Sequence, residues 1–393
     1  MKQVFWLDEE HTEHPPLSTD ITVDAVVIGA GICGVSAAYA LEQEGLSVAL
    51  IDSRTVASGA TGRNAGFILQ GTAERYNRAI EIMGHDRAKS IHQWSLVNHE
   101  RIASVIAQHG IDCSYAQSGS LQLAGSKQEE AELLESARLL CADGFEAQIQ
   151  TAAEIPSEYR AAGFEMGVYL PKDGELHPAR FVRGMANSLT NTQIFENTRA
   201  LSIDDDNNGA RVHTEKGTIL AEIAIVCTNA YTKQLFPSIK DWIDPVRGQM
   251  LTTAPLPRLF PYPIYADHGY DYWRQDREGR IILGGWRNLD AETEVGFDEI
   301  LNPDIQENMT RFLKVFPSLQ SLDVTHRWSG IMGFSKDGLP IISPVPSYQA
   351  TLLAAGFTGH GFGFGWLAGE AIAKVAIEGT HPFYEDLRKN RFY

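Results

Sequence analysis

Apolar and polar positions alternate with three different periods along the chain, and the change of period near the N-terminus is the most informative. Ala25-Val-Val-Ile28 has no polar interruption, as expected of a strand buried on both faces of a parallel sheet. Gly29-Ala-Gly31-Ile32-Cys33-Gly34 follows, then a helix-forming run to Leu41 and a second apolar strand, Val48–Ile51, ending on Asp52. This is the order strand, Gly-x-Gly-x-x-Gly turn, helix, strand and acid. The first glycine makes the tight turn, the second lets the backbone approach a pyrophosphate, and the third brings the helix close to the sheet. Asp52 stands 18 positions after the last glycine, where its carboxylate can accept hydrogen bonds from an adenosine ribose and would repel a 2′-phosphate.

Further along, helical periodicity marks residues about 77 to 150, with Ala88–His109 and Lys127–Ala142 as the longer helices. Phe181–Leu189 reads as a helix. Gln193–Phe195 and Ala200–Ile203 read as strands, Ala210–Thr214 and Thr218–Ala221 as a hairpin, and Ile223–Cys227 as a buried parallel strand. From Trp242 to about Thr325 strands alternate, among them Tyr270–Arg274 and Arg280–Gly284, as in a second sheet; residues 326 to 393 then close the first unit with an apolar helix, Leu367–Ile377. The pattern predicts two interleaved domains: residues 1–76, 151–240 and 326–393 for the nucleotide, and 77–150 and 241–325 for the substrate.

Composition narrows the class. The 393 residues, 44% of them hydrophobic, suffice for two cores. Fifty acids against 33 Lys and Arg give a net charge of −17, which opposes a nucleic-acid surface. Cys33, Cys113, Cys141 and Cys227 lack paired or metal-ligand spacing, so free thiols, a reducing cytoplasmic compartment and no metal are expected. The run Ala25–Leu41 lacks the basic flank and cleavage site of a signal peptide. A second uncharged stretch near the C-terminus is broken by Pro340, Pro344 and Pro346 and holds six glycines between residues 356 and 369, so no membrane span is expected.

Two more segments carry chemistry. Ser58-Gly-Ala-Thr61-Gly62-Arg63-Asn64-Ala65-Gly66 follows the acid-ending strand, and its small residues let the backbone run close to a flat ligand. Gly356-Phe-Thr358-Gly359-His360-Gly361-Phe362-Gly363 leads into the last long helix, whose N-terminal amides suit the carbonyl edge of a reduced, anionic flavin. A helix terminus contributes about 0.3 to 2 kcal/mol, enough to tune a cofactor and too little to hold it.

These motifs, in this order, resemble the glutathione-reductase-type flavoproteins of the D-amino-acid oxidase superfamily, and especially the gamma-glutamylputrescine oxidase group. Asp173-Gly-Glu-Leu-His177-Pro178, Asn197-Thr-Arg-Ala200, Cys227-Thr228-Asn229-Ala-Tyr231, Pro245-Val-Arg-Gly-Gln249 and Arg327-Trp-Ser-Gly330 extend the likeness over most of the chain. The resemblance implies an α/β plus α+β fold: a Rossmann-type FAD domain interleaved with an antiparallel-sheet substrate domain. It implies FAD bound by the three glycine segments, by Ser53 and Arg54 after Asp52, and by Ala200, Thr228, Asn229 and Gly330. Family members that attach flavin covalently use a cysteine aligned near Gly330 or a histidine aligned near Arg63, so non-covalent FAD is expected. The arginine with which glycine and D-amino-acid oxidases hold a substrate carboxylate aligns with Met332, which points away from an ordinary α-amino acid unless Arg63, Arg247, Arg274 or Arg327 replaces it.

Tyr270, Tyr272 and Trp273, with Phe362, Phe364 and Trp366, form the expected aromatic lining of the reacting face, and ring faces attract an ammonium. Tyr270, Trp273, Met332 and His360 are the candidate pocket residues. His360 between glycines is read mainly as a packing or hydrogen-bonding residue, His177 as a helix-start residue, and Asp267 and Asp271 as solvated. The implied activity is oxidation of a primary or secondary amine, with O2 or another electron acceptor regenerating FAD. A nicotinamide dehydrogenase, a D-amino-acid or N-methyl amino-acid oxidase, and a flavin-binding protein without turnover are the competing readings.

Overall fold

The computed structural model describes residues 4–206, 208–389 and 391. Two eight-stranded sheets organise the chain. The first is centred on Ile21–Ile28, flanked in parallel by Val48–Ile51 and by Thr218–Val226. Thr192–Phe195 and Thr351–Ala355 extend it, again in parallel, and Ile341–Pro344 closes one edge in antiparallel register. Ala25 and Val27 join one hydrophobic cluster while Val26 and Ile28 join another on the opposite face. That is why the run has no polar break. The hairpin strand and the buried strand expected at residues 218–221 and 223–227 are one strand, Thr218–Val226. Its first part pairs antiparallel with Gly209–Thr214 while the whole pairs parallel with Ile21–Ile28.

Two helices converge on this sheet. Ile32–Gln43 begins at the glycine turn, and a side chain at Gly34 would overlap the carbonyl oxygen of Gly29. The last long helix runs from Gly361 to Glu378, earlier than expected, because the glycines of the turn form its first turns. Gly365 and Gly369 lie one helical turn apart and admit Ile32 and Cys33 of the other helix, where any Cβ would collide with them. Ser36 Oγ donates to Trp366 O at 2.6 Å across the same crossing. The two glycine turns are thereby brought together.

The second sheet runs Val324–Ser335, Ile243–Thr253, Ile281–Gly285, Asp271–Gln275, Ile264–Ala266, Ser120–Leu123, Gly167–Leu170, Gln148–Gln150. It is antiparallel except where Ile264–Ala266 lies parallel to Ser120–Leu123. Its membership corrects the expected domain limits: Gln148–Gln150 and Gly167–Leu170 lie on either side of residue 151 yet share this sheet, and Val324–Ser335 belongs to it along the whole of Ile243–Thr253. The two short strands have too few residues to show a period. His177 does start a helix, Pro178–Asn187, its Nδ1 accepting from Arg180 N at 3.1 Å. Among the described residues no helix is long and apolar enough to cross a membrane.

Candidate active site

A cavity of about 1220 Å³ runs from the first glycine turn to the second sheet, larger than the roughly 300–1,000 Å³ of common small-molecule pockets. At one end it is lined by Gly29, Gly31, Ile32 and Cys33, with Asp52, Ser53 and Arg54 just after the next strand. Gly31 is the N-cap of its helix, and a Cβ there would sit 2.9 Å from Thr61 Oγ1, which itself accepts from Ile32 N at 3.1 Å. Asp52 accepts from Ala30 N and Arg54 N, each at 2.8 Å, and burial pushes its carboxyl up from the ordinary range. Arg54 and Arg63 both pair with Glu299, at 2.7 and 3.0 Å, so a loop of the second half is pinned over the first.

Thr61, Arg63, Asn64 and Ala65 line the middle of the cavity, as do Ala200, Thr228, Asn229 and Gly330. Asn229 has φ 46°, and its Oδ1 accepts from Gly356 N at 2.9 Å, so this side chain holds the terminal turn in place. Thr358, Gly359, His360, Gly361, Phe362 and Gly363 bring the start of the last helix to the same space. Five expected cofactor residues do not reach it. Gly34, Gly62, Gly66 and Gly356 are sites of close packing, the last two with φ of 73° and 75°, and Ser58 Oγ donates to Thr55 O within its own turn. Glycine there serves the loop's shape, which the sequence pattern alone could not separate from ligand contact.

The far wall is the face of the second sheet that carries Met250, Gly284, Tyr272 and Tyr265 in one cross-strand row. A Cβ on Gly284 would overlap Met250 Sδ and the Tyr272 ring, so glycine lets Tyr272 lie across the sheet, 5.7 Å from Tyr265 and nearly parallel to it. Tyr270 and Met332 also line the cavity. Trp273 does not. Consecutive strand residues face opposite ways, so Trp273 is fully buried on the other side, 4.9 Å from Phe312 and among Phe260 and Phe316. Phe364 and Trp366 are likewise core residues, whereas Phe362 reaches the cavity. Asp271 also departs from expectation: burial pushes it up to about 7, and one carboxylate oxygen has no partner among the described residues.

Charges around this wall are mostly neutralised. Burial holds His360 down near 4, so its ring is neutral, and it pushes the Tyr272 hydroxyl up to about 12. Of the four arginines considered as carboxylate partners, Arg247 is buried against Glu294 at 3.0 Å and Arg274 against Glu175 at 3.1 Å. Arg327 donates to Gln306 Oε1 and Thr310 Oγ1, and Arg63 is engaged by Glu299, Ser58 O and Ser329 O. Arg287, which sequence reasoning missed, does line the cavity. The pair Gly284-Gly285 just before it was the available signal of open space. Cys33 and Cys227, far apart in sequence, face each other at 3.6 Å as free thiols.

The FAD dependent oxidoreductase (DAO) family matches residues 24–375. The chain belongs to this family. Its cofactor is FAD, and it is an oxidoreductase. The residues present fit that cofactor: a glycine cradle that side chains would fill, a half-buried carboxylate at its end, and two helix N-termini lining one cavity. A probable oxidoreductase OrdL of Haemophilus influenzae is 26% identical over 93% of this chain and 85% of its own length. Gamma-glutamylputrescine oxidoreductase of Escherichia coli is also 26% identical, over 91% of this chain and 84% of its own. Glycine oxidase from Geobacillus kaustophilus shares the fold, with a TM-score of 0.78, 20% identity, and coverage of 91% of this chain and 95% of that one.

Proposed function

We propose that this protein oxidises a small primary or secondary amine, or an amino acid, at the carbon bearing nitrogen, in the space between the terminal turn and the Tyr265–Tyr272 wall. The observation carrying this reading is that a single cavity joins the dinucleotide cradle to an aromatic face of the second sheet. FAD held by the glycine cradle and Asp52 would supply a two-electron hydride acceptor, so that the amine is oxidised to an imine that water hydrolyses, with O2 or another acceptor restoring the oxidised cofactor. The chain's own contribution is positional and electrostatic. Tyr265, Tyr272 and Met332 exclude water and orient the substrate. Neutral His360 keeps positive charge away from an incoming ammonium, and the helix beginning at Gly361 places its positive end where negative charge develops.

Arg63 and Gly330 stand where attachment residues would be, so FAD is held without a covalent bond, and acid precipitation should leave the yellow colour in the supernatant. The direct test of function is an anaerobic screen of amines and amino acids for flavin bleaching, followed by air and a peroxide assay. Bleaching by a member of either class is expected. Reduction by nicotinamide cofactors alone, or by nothing in the screen, would overturn the proposal.

A further inference from the structure

Four arginines line the cavity, and three are already engaged. Arg54 and Arg63 share Glu299, and Arg199 donates to Gln234. Arg287 differs. It follows the strand Ile281–Gly285 in a short turn whose first residue, Trp286, is held left-handed at φ 57°. Its guanidinium carbon lies 5.2 Å from the ring centroid of Tyr270 and 5.1 Å from that of Phe334. Among the described residues it makes neither a hydrogen bond nor an ion pair, in a chain with 50 acids to choose from. Asp267, in the short turn before Tyr270, accepts from Asn288 instead. Two rings thus flank the guanidinium, and its N–H donors have no partner among the described residues.

The surroundings give this cation a direction. Phe334, Met332 and Gly330 share one face of the same strand, and Phe334 and Met332 both approach Gly359 of the terminal turn, at 4.0 and 3.9 Å from a Cβ placed there. Arg287 therefore lines the same stretch of the cavity as Tyr270, Met332, Phe334 and the terminal turn. A planar, permanently charged fork with unused donors, stacked on aromatic rings, is matched to a carboxylate. A substrate with only a positive charge would instead meet repulsion on this wall.

Resting on the reading of this cavity as an amine-oxidising site, we propose that the substrate carries a carboxylate and that Arg287, in the turn after the strand Ile281–Gly285, is its anchor. The substrate class is accordingly an amine bearing an anionic carboxylate, with the reacting nitrogen toward the terminal turn and the carboxylate toward Tyr270 and Phe334.

The test compares matched pairs of amines differing only in the carboxylate, glycine with methylamine and 4-aminobutyrate with propylamine, in the FAD-loaded wild type and in Arg287→Gln and Arg287→Lys. In the wild type the better carboxylated member should exceed its partner in kcat/KM by about 100-fold, and Arg287→Gln should remove most of that ratio, chiefly through KM. Arg287→Lys should recover part of it, since the charge returns without the fork. FAD content and melting temperature of each variant separate these effects from misfolding. A wild type that prefers the uncharged-tail amines, or an Arg287→Gln variant that slows both members equally, would overturn the anchor while leaving amine oxidation intact. A wild type bleached by no amine or amino acid at all would overturn the underlying reading instead.

Discussion

The two walls of the cavity are made from different materials. On the first sheet's side, Gly29, Gly31 and Asp52 belong to one strand–helix–strand unit, and what they offer a ligand is backbone, helix N-terminus and one carboxylate. On the second sheet's side, Met250, Tyr265, Tyr272, Arg287 and Met332 come from separate strands and turns and offer side chains. Backbone recognition tolerates no added atom, and so suits a cofactor that never changes. A row of side chains on a sheet can be exchanged without disturbing the ladder beneath it, and so suits a substrate that differs between relatives.

Substitutions that separate the two walls would sharpen this contrast or break it. The largest effect is expected from Gly31→Val, because its Cβ already meets Thr61 Oγ1 at 2.9 Å and its branches would enter the pyrophosphate space. The purified variant should be nearly flavin-free. Full occupancy, read from the ratio of visible to protein absorbance, would dismiss the cradle. Asp52→Ala should weaken FAD by about 1–3 kcal/mol through loss of a charged acceptor, and equilibrium dialysis measures this. An unchanged dissociation constant would show that the adenosine lies elsewhere.

Smaller effects belong to the other wall. Gly284→Ala pushes against Met250 and the Tyr272 ring, and it should raise substrate KM by about tenfold, worth about 1.4 kcal/mol, with flavin content unchanged. Loss of flavin in this variant would mean that the two walls are not separable. The smallest concerns His360. Its folded pKa of about 4 lies below the unfolded value of 6.5, so its favourable contribution is present above pH 6.5 and is lost as the pH falls toward 4. The melting temperature of wild type relative to His360→Gln should accordingly decline over that interval. A constant difference would show that the ring is already hydrated.

The same contrast explains how much could be read beforehand. The cradle was legible because its glycines and acid are close in sequence and each spacing has a mechanical reason. The helix Lys127–Ala142 was legible too, from its period, and the structure adds its cap, Ser126 Oγ accepting from Glu129 N. The substrate wall was not, since parity along a strand decides which residues face inward. Tyr272 and Trp273 are adjacent in sequence, yet one lines the cavity and the other fills the core. Choosing between them needs the pairing of Trp273 with Leu283 and Ile264, a contact invisible to local pattern. Arg287 was missed for a related reason: its importance lies in the carboxylate it does not have, which becomes evident only once every neighbour is placed.

The division between cofactor wall and substrate wall is tested most directly by measuring both affinities in one variant, Tyr272→Leu, which removes the ring at the centre of the cross-strand row and keeps an apolar side chain for folding. FAD affinity from dialysis and substrate affinity from anaerobic bleaching would be compared with wild type. Substrate affinity should be at least about tenfold weaker, with the FAD dissociation constant moved less than about threefold. Weakened FAD binding with substrate affinity preserved would contradict that division.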